Sequence, residues 1–301
     1  MQHHIGTRLR QYLLLVRLPN AFTAPSNVLA GYFATTMPAE ASGAHLASLM
    51  VSSGLLYIAG IAFNDYFDIE IDRKERPARP LPSGSVPKRH AMAIALMAMI
   101  AANAITLFAA GPASLAVSLA LSAVIIAYNY RLKHTTAGPF AMGGARFLNV
   151  ILGASPAISA ALLAGTGAQF ELAIFAAASL FLYVVAITLL SKKEVGTEKP
   201  SLLPFSIVFV VIAAIAAIGL PTLRLEFLIN LSVFAAVMAF TFRRHIATGS
   251  PSLQKAVRNM IISIIILDSV FVSGTAGLPY GLATLLLIVP AVVLAKKLYV
   301  T

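Results

Sequence analysis

Four oxygen-bearing side chains stand together at helical spacing: Asn64, Asp65, Asp68 and Asp72, in the pattern N-D-x-x-D-x-x-x-D. At about 100° per residue they fall within one arc of about 100° around a helix. Carboxylates crowded on one face repel each other and weaken the helix unless a cation joins them. Hard divalent ions such as Mg²⁺ take carboxylate and amide oxygens and commonly bridge substrate phosphates as well. Lys74, Arg76 and Arg79 follow at once, and the arginine fork suits two-point contact with phosphate. Acids for a metal followed by arginines for phosphate make a coherent diphosphate site. Pro77, Pro80 and Pro82 end the helix and stiffen the loop behind it. The plainer alternative is a solvated, salt-bridged helix end; the spacing and the attached R-P-x-R-P run argue against it.

Membrane helices are the elements that must place these residues. Of 301 residues, 59% are hydrophobic and 11% charged, with a mean hydropathy of +0.86. A water-soluble fold of this size cannot hide so much apolar surface. That excludes a soluble enzyme and a nucleic-acid-binding protein, despite a formal net charge of +11. The absence of cysteine excludes disulfides, iron–sulfur clusters and thiolate metal sites. Apolar blocks at 20–37, 46–66, 90–109, 113–129, 138–162, 170–191, 202–220, 225–242, 259–276 and 280–296 each approach the roughly 20 residues that a spanning helix needs. Nine spans with a re-entrant end is the alternative count. The blocks are continuous, without the alternation of a β-barrel. Residues 7–17 read as an interfacial helix, and no cleavable signal pattern precedes them.

Every Lys and Arg except Arg146 and Arg224 falls in alternate loops or at the termini. By the positive-inside rule those loops, the acid cluster among them, face the cytoplasm. The basic balance therefore reports topology and needs no nucleic-acid partner. The expectation is an all-α, polytopic integral membrane protein forming one domain over 1–301 in a bacterial inner membrane. No G-x-x-x-x-G-K-[ST] run is present, so the chain is not itself an ATP-driven pump. His3, His4, His134 and His245 lie in termini or loops without metal-ligand spacing.

The run NDYFDIEIDRKERPARPLPSG resembles the first aspartate motif of the UbiA superfamily of intramembrane prenyltransferases. LVRLPN at 15–20 is similar to that family's N-terminal arginine segment, and Tyr128, Leu132 and Lys133 resemble its Y-x-x-x-L-K element. Gly138, Pro139, Arg146, Asn149 and Gly153 resemble its fifth helix. The resemblance implies a bundle of nine or ten helices, in two pseudo-repeated halves around a central cavity. It implies Mg²⁺-dependent transfer of a prenyl group from an isoprenyl diphosphate to a small aromatic or lipophilic acceptor within the bilayer. Asn64, Asp68 and Asp72 would carry the catalytic metal, with Asp65 a further ligand or a residue that orients one. Arg17, Arg76, Arg79 and Lys133 would hold the diphosphate, and Tyr128 would hydrogen-bond it.

Shifting the sequence by 126 places Tyr57 on Tyr183, Asp68 on Glu194, Asp72 on Glu198 and Arg73 on Lys199. The halves are thus expected near 46–162 and 170–276, with the site between them. Glu194 and Glu198 become candidates for a second metal. They depart from the aspartates usual in the family, and the S-K-K-E-V form is more similar to the UbiA-like EboC subgroup, linked to export of specialised metabolites. A non-catalytic or transport-linked role for a prenylated metabolite is therefore the second reading, and diphosphate hydrolysis a third. Arg146 and Asp268 lie about 12–14 Å deep. Intramembrane charges are usually paired or face a cavity. The two are expected either to pair or, with Asn149 beside Arg146, to leave Arg146 lining the acceptor pocket.

Overall fold

Lipid offers no partners to backbone amides and carbonyls, so apolar segments satisfy their own by coiling. A computed structural model describes residues 2–164, 170–192, 202–248 and 253–299, and among them every regular element is helical. The chain opens with α1 (Gln2–Leu15), α2 (Leu18–Ala21), α3 (Thr23–Phe33), α4 (Gly43–Phe67) and α5 (Ile69–Glu75). It continues with α6 (Lys88–Ala110), α7 (Pro112–Tyr130), α8 (Gly138–Ala164), α9 (Glu171–Ser191) and α10 (Leu203–Thr222). α11 (Phe227–Thr248), α12 (Leu253–Ala276), α13 (Leu278–Leu285) and α14 (Ile288–Tyr299) complete it.

Eight helical runs among the described residues are long and apolar enough to cross a bilayer: α4, α6, α7, α9, α10, α11, α12 and the α13–α14 run. α8, at 27 residues, is longer than any of them. The chain is an integral membrane helical bundle. α6 turns Leu96, Met97, Ile100 and Phe108 outward, an apolar surface that only lipid can cover at no cost. α12 lies at the opposite extreme and is buried along most of its length.

The first block, read as one span over 20–37, is broken. Arg17 takes left-handed dihedrals (φ 45°, ψ 48°) and is the one non-glycine residue with positive φ among those described. Such a conformation costs an L-residue about 1–2 kcal/mol and persists only where the surroundings demand it. Phe22 separates α2 from α3, and the 11 residues of α3 rise only about 17 Å. Protein rather than lipid surrounds this short helix: α3 packs against α4, α8 and α12, and nearly all its residues are buried.

Two glycines permit that packing. A Cβ on Gly31 would strike the carbonyl of Val150, and one on Gly153 the carbonyl of Val28. Both obstacles are backbone, so no side-chain rotation can relieve them; small residues are what let membrane helices approach this closely. Gly153→Ala is therefore expected to lower the unfolding free energy in detergent by about 1–3 kcal/mol. An unchanged unfolding midpoint would show that α3 and α8 do not meet here.

Candidate active site

α4 carries the acid cluster out of the membrane. Its last regular residue is Phe67, and Asp68 bends the chain (φ −90°, ψ 5°) into α5. The i→i−4 ladder survives the bend: the Asp68 amide donates to the Asn64 carbonyl at 3.0 Å, Asp72 to Asp68 at 2.8 Å, and Arg76 to Asp72 at 2.8 Å. The acids consequently stay in register. Among the described residues no three acid or histidine side chains converge as a metal-holding group.

Each aspartate lies instead against a base. Arg17 donates through Nη2 to Asp65 Oδ1 at 2.8 Å, which is what its left-handed backbone accomplishes. Arg79 Nη1 lies 2.7 Å from Asp72 Oδ2 and 3.7 Å from Asp65 Oδ1. Lys133 Nζ reaches Asp68 Oδ1 at 2.6 Å, and Asn64 Nδ2 donates to Asp68 Oδ2 at 3.0 Å. Asp65 and Asp72 are buried. Arg76 is held least: its side chain is 46% exposed and its guanidinium lies 4.0 Å from Asp72. Burial, and then the Arg17 charge, pull the Arg79 guanidinium below its ordinary pKa, though an arginine remains protonated at any physiological pH.

A small apolar cluster fixes the loop that delivers Arg79. Leu81 and Val86 pack with Leu15 of α1, Ile69 of α5 and Ala91 of α6. Lys133 arrives on a short helical turn, Leu132–His134, after α7. That turn also brings His134 Nε2 to 3.7 Å from Asp68 Oδ1, a neighbour that motif spacing does not disclose. Glu194 and Glu198 lie outside the described residues.

Behind this charged rim opens a cavity of about 340 Å³ among α3, α4, α7, α8, α9 and α12. Arg17, Asn20, Asn64, Tyr128 and Ser191 line its polar mouth; Leu56, Ile61, Leu121, Ile125, Val184 and Ile187 are among its apolar walls. Arg146 and Asn149 also line it. Arg146 does not pair with Asp268, because α3 passes between α8 and α12 and inserts Asn27. The Arg146 Nη1 donates to Asn27 Oδ1 at 2.9 Å, while Asn27 Nδ2 donates to Asp268 Oδ2 at 2.7 Å. Thr23, Ser26 and Asn27 are thus site-supporting residues that motif reading missed. Their signal was polar side chains spaced i, i+3, i+4 within an apolar block.

The arrangement offers hard oxygen donors beside cations suited to phosphate, at the mouth of an apolar chamber. The donors fit Mg²⁺ by chemistry: carboxylate oxygens of Asp65, Asp68 and Asp72 with the amide oxygen of Asn64. The paired bases fit a polyanion that would take over their charge.

Comparison with known proteins agrees with this chemistry. The chain resembles digeranylgeranylglyceryl phosphate synthase of Ignicoccus hospitalis, 36% identical over 128 residues, or 42% of this chain and 41% of the relative. The synthase of Methanothrix thermoacetophila is 38% identical over 149 residues, 46% of this chain and 55% of the relative. The chain thus spans about half the length of the curated relatives it matches. Its fold is that of a UbiA homolog from Aeropyrum pernix K1 (TM-score 0.66, 16% identity, 83% of this chain and 96% of that one). It is likewise that of a UbiA homolog from Archaeoglobus fulgidus bound to DMAPP and Mg²⁺ (TM-score 0.60, 17% identity, 91% and 99%). The model of the UbiA prenyltransferase family matches residues 25–241, most of the chain with the acid cluster and most of the cavity lining, and the chain belongs to that family.

Proposed function

We propose that this protein transfers an isoprenyl group from its diphosphate to a small lipophilic acceptor inside the membrane, with Mg²⁺ as the required cation. The observation that carries the reading is the pairing of Asp65, Asp68 and Asp72 with Arg17, Arg79 and Lys133, joined through Arg17 and Asn64 to the lining of an apolar chamber. A site for a cation alone would not need the bases, and a site for an anion alone would not need the acids. In the reading, Asn64, Asp68 and Asp72 hold the metal, and Asp65 orients Arg17. Bound there, Mg²⁺ would neutralise charge developing on the leaving diphosphate. Arg17, Arg79 and Lys133 turn from their aspartates to the diphosphate oxygens, Arg76 closes from the exposed side, and Tyr128 donates from the chamber wall. Such preplaced charges lower the barrier to heterolysis of the allylic C–O bond, whose electron pair leaves with the diphosphate. The apolar walls exclude water, which would otherwise capture the carbocation as an alcohol. The acceptor's nucleophilic atom instead forms the new bond to carbon, and its proton passes to the released diphosphate.

The acceptor is proposed as lipophilic with an oxyanion group facing Arg146 and Asn149. An aromatic ring is not required: relatives named for a glyceryl phosphate product point to non-aromatic acceptors as readily. The acid cluster is proposed to face the cytoplasm, since it lies on the basic side of the bundle; those relatives are archaeal, so restriction to a bacterial membrane is not part of the proposal.

The test uses purified protein in nanodiscs with labelled isoprenyl diphosphates of several lengths. The acceptors are 4-hydroxybenzoate and geranylgeranylglyceryl phosphate. A coupled product that disappears with EDTA and returns with Mg²⁺ is the expected result. Free prenyl alcohol alone would favour diphosphate hydrolysis. Tight diphosphate binding without turnover would favour the transport-linked role.

A further inference from the structure

One buried acid takes no part in the chemistry above. Asp268 of α12 is 1% exposed and is not among the residues lining the cavity. Its Oδ2 accepts from Ser26 Oγ at 2.6 Å and from Asn27 Nδ2 at 2.7 Å. The other end of the Asn27 amide, Oδ1, accepts from Arg146 Nη1 at 2.9 Å and from Asn149 Nδ2 at 3.1 Å. Arg146 further donates to the Thr23 carbonyl and hydroxyl at 3.1 and 3.0 Å, and its guanidinium lies 5.6 Å from the centre of the Tyr57 ring. Asn149 accepts from Ser53 Oγ at 2.8 Å. One polar layer thus links α3, α4, α8 and α12 in the middle of an apolar bundle.

The layer has a direction. An asparagine amide can present either its oxygen or its NH₂ to a given neighbour, and its surroundings decide which. An ionised carboxylate only accepts. With Asp268 behind it, Asn27 must turn its NH₂ backward, which leaves its oxygen forward for Arg146 and Asn149. Inverted, the amide would point NH₂ at a guanidinium and at another amide NH₂. We propose that Asp268 is a positioning residue: by fixing the orientation of the Asn27 amide it holds Arg146 and Asn149 in the cavity wall, and so sets acceptor binding. The inference rests on the reading that Arg146 and Asn149 face the acceptor. Arg146 gives its hydrogen bonds to uncharged oxygens, so no acid in contact cancels its charge in the cavity lining. A merely structural tie between α3 and α12 would be served almost as well by asparagine, whose side-chain oxygen accepts the same two bonds. What asparagine at 268 removes is the acceptor-only end of the layer, so that Arg146 and Asn149 alone then hold the Asn27 amide in this direction.

Asp268→Asn and Arg146→Gln separate the possibilities. Full-length protein in nanodiscs is saturated with Mg²⁺ and the unreactive geranyl S-thiolodiphosphate. It is then titrated with 4-hydroxybenzoate and with hexyl phosphate, following thermal stabilisation. Asp268→Asn should unfold near the wild-type temperature and bind the analogue normally. It should bind the two oxyanions about tenfold more weakly. Wild-type oxyanion affinity in Asp268→Asn, or an Asp268→Asn protein that does not fold, would overturn the proposal. Wild-type affinity in Arg146→Gln, or no binding of either oxyanion, would instead remove the acceptor-end reading. An experimental structure of Asp268→Asn then decides the positioning role: it stands if the Asn27–Arg146 bond is lost and falls if the bond is kept. Failure of the diphosphate analogue to bind counts only against prenyl transfer.

Discussion

Asp68→Asn is expected to lower prenyl transfer by about 10²–10³-fold, the scale on which one preplaced electrostatic group acts on a reacting centre. The substitution removes one negative charge and keeps the shape. Asparagine is preferable to alanine because Lys133 is nearly buried, with 7% of its side chain exposed, and Asp68 is its ion-pair partner. Truncation would strand that ammonium, and a stability loss would be confused with a loss of chemistry. With asparagine an oxygen still faces Lys133, so the protein should purify and unfold as the wild type does. Asp68 occupies the bend between α4 and α5 and shares hydrogen bonding with Asn64 at the cavity mouth. Its charge therefore lies one hydrogen bond from a residue of the cavity lining. Raising Mg²⁺ should recover part of the rate, because weaker binding is overcome by mass action. Turnover within threefold of wild type would remove Asp68 from the chemistry, and with it the proposed site.

How much of this was open to sequence follows from what spacing can encode. The interval from Asn64 to Asp72 fixes which residues share a helix face, and their i→i−4 ladder does continue through Asp68. The apolar blocks likewise translate into helices, because length and hydropathy answer directly to bilayer thickness. Spacing does not say which face meets which neighbour. The partition of Asp65 to Arg17, Asp72 to Arg79 and Asp68 to Lys133 depends on three segments distant in sequence meeting at one rim. The left-handed Arg17 was invisible for the same reason, since it meets an acid 48 positions away. Arg146 and Asp268 looked like partners because both were charged and equally deep. The interposed Asn27 follows from a short α3 wedged between α8 and α12, a packing that Gly31 and Gly153 allow and that hydropathy cannot register.

The Arg79–Asp72 pair gives the largest expected effect on stability. Arg79 Nη1 is 2.7 Å from Asp72 Oδ2, and the Asp72 side chain is only 3% exposed. Arg79→Met leaves that carboxylate buried opposite an apolar chain, with Arg76 at 4.0 Å its remaining base. Removing one partner of a buried ion pair costs about 3–5 kcal/mol, most of it the penalty on the stranded charge. The methionine retains the aliphatic bulk of the arginine stem, so the loop held by Leu81 and Val86 keeps its contacts. The expected result is a loss of about 3–5 kcal/mol in unfolding free energy, measured in detergent. Adding Asp72→Leu should restore most of it, because a buried ion pair replaced by apolar side chains is often neutral or stabilising. Activity should not return in the double variant, which lacks a proposed metal ligand and a proposed diphosphate contact. Recovered stability without recovered transfer would identify the pair as one kept for binding substrate. Recovery of both would mean that Asp72 and Arg79 only hold α5 in place, and the diphosphate would then have to be gripped by Arg17, Lys133 and Asp68 alone.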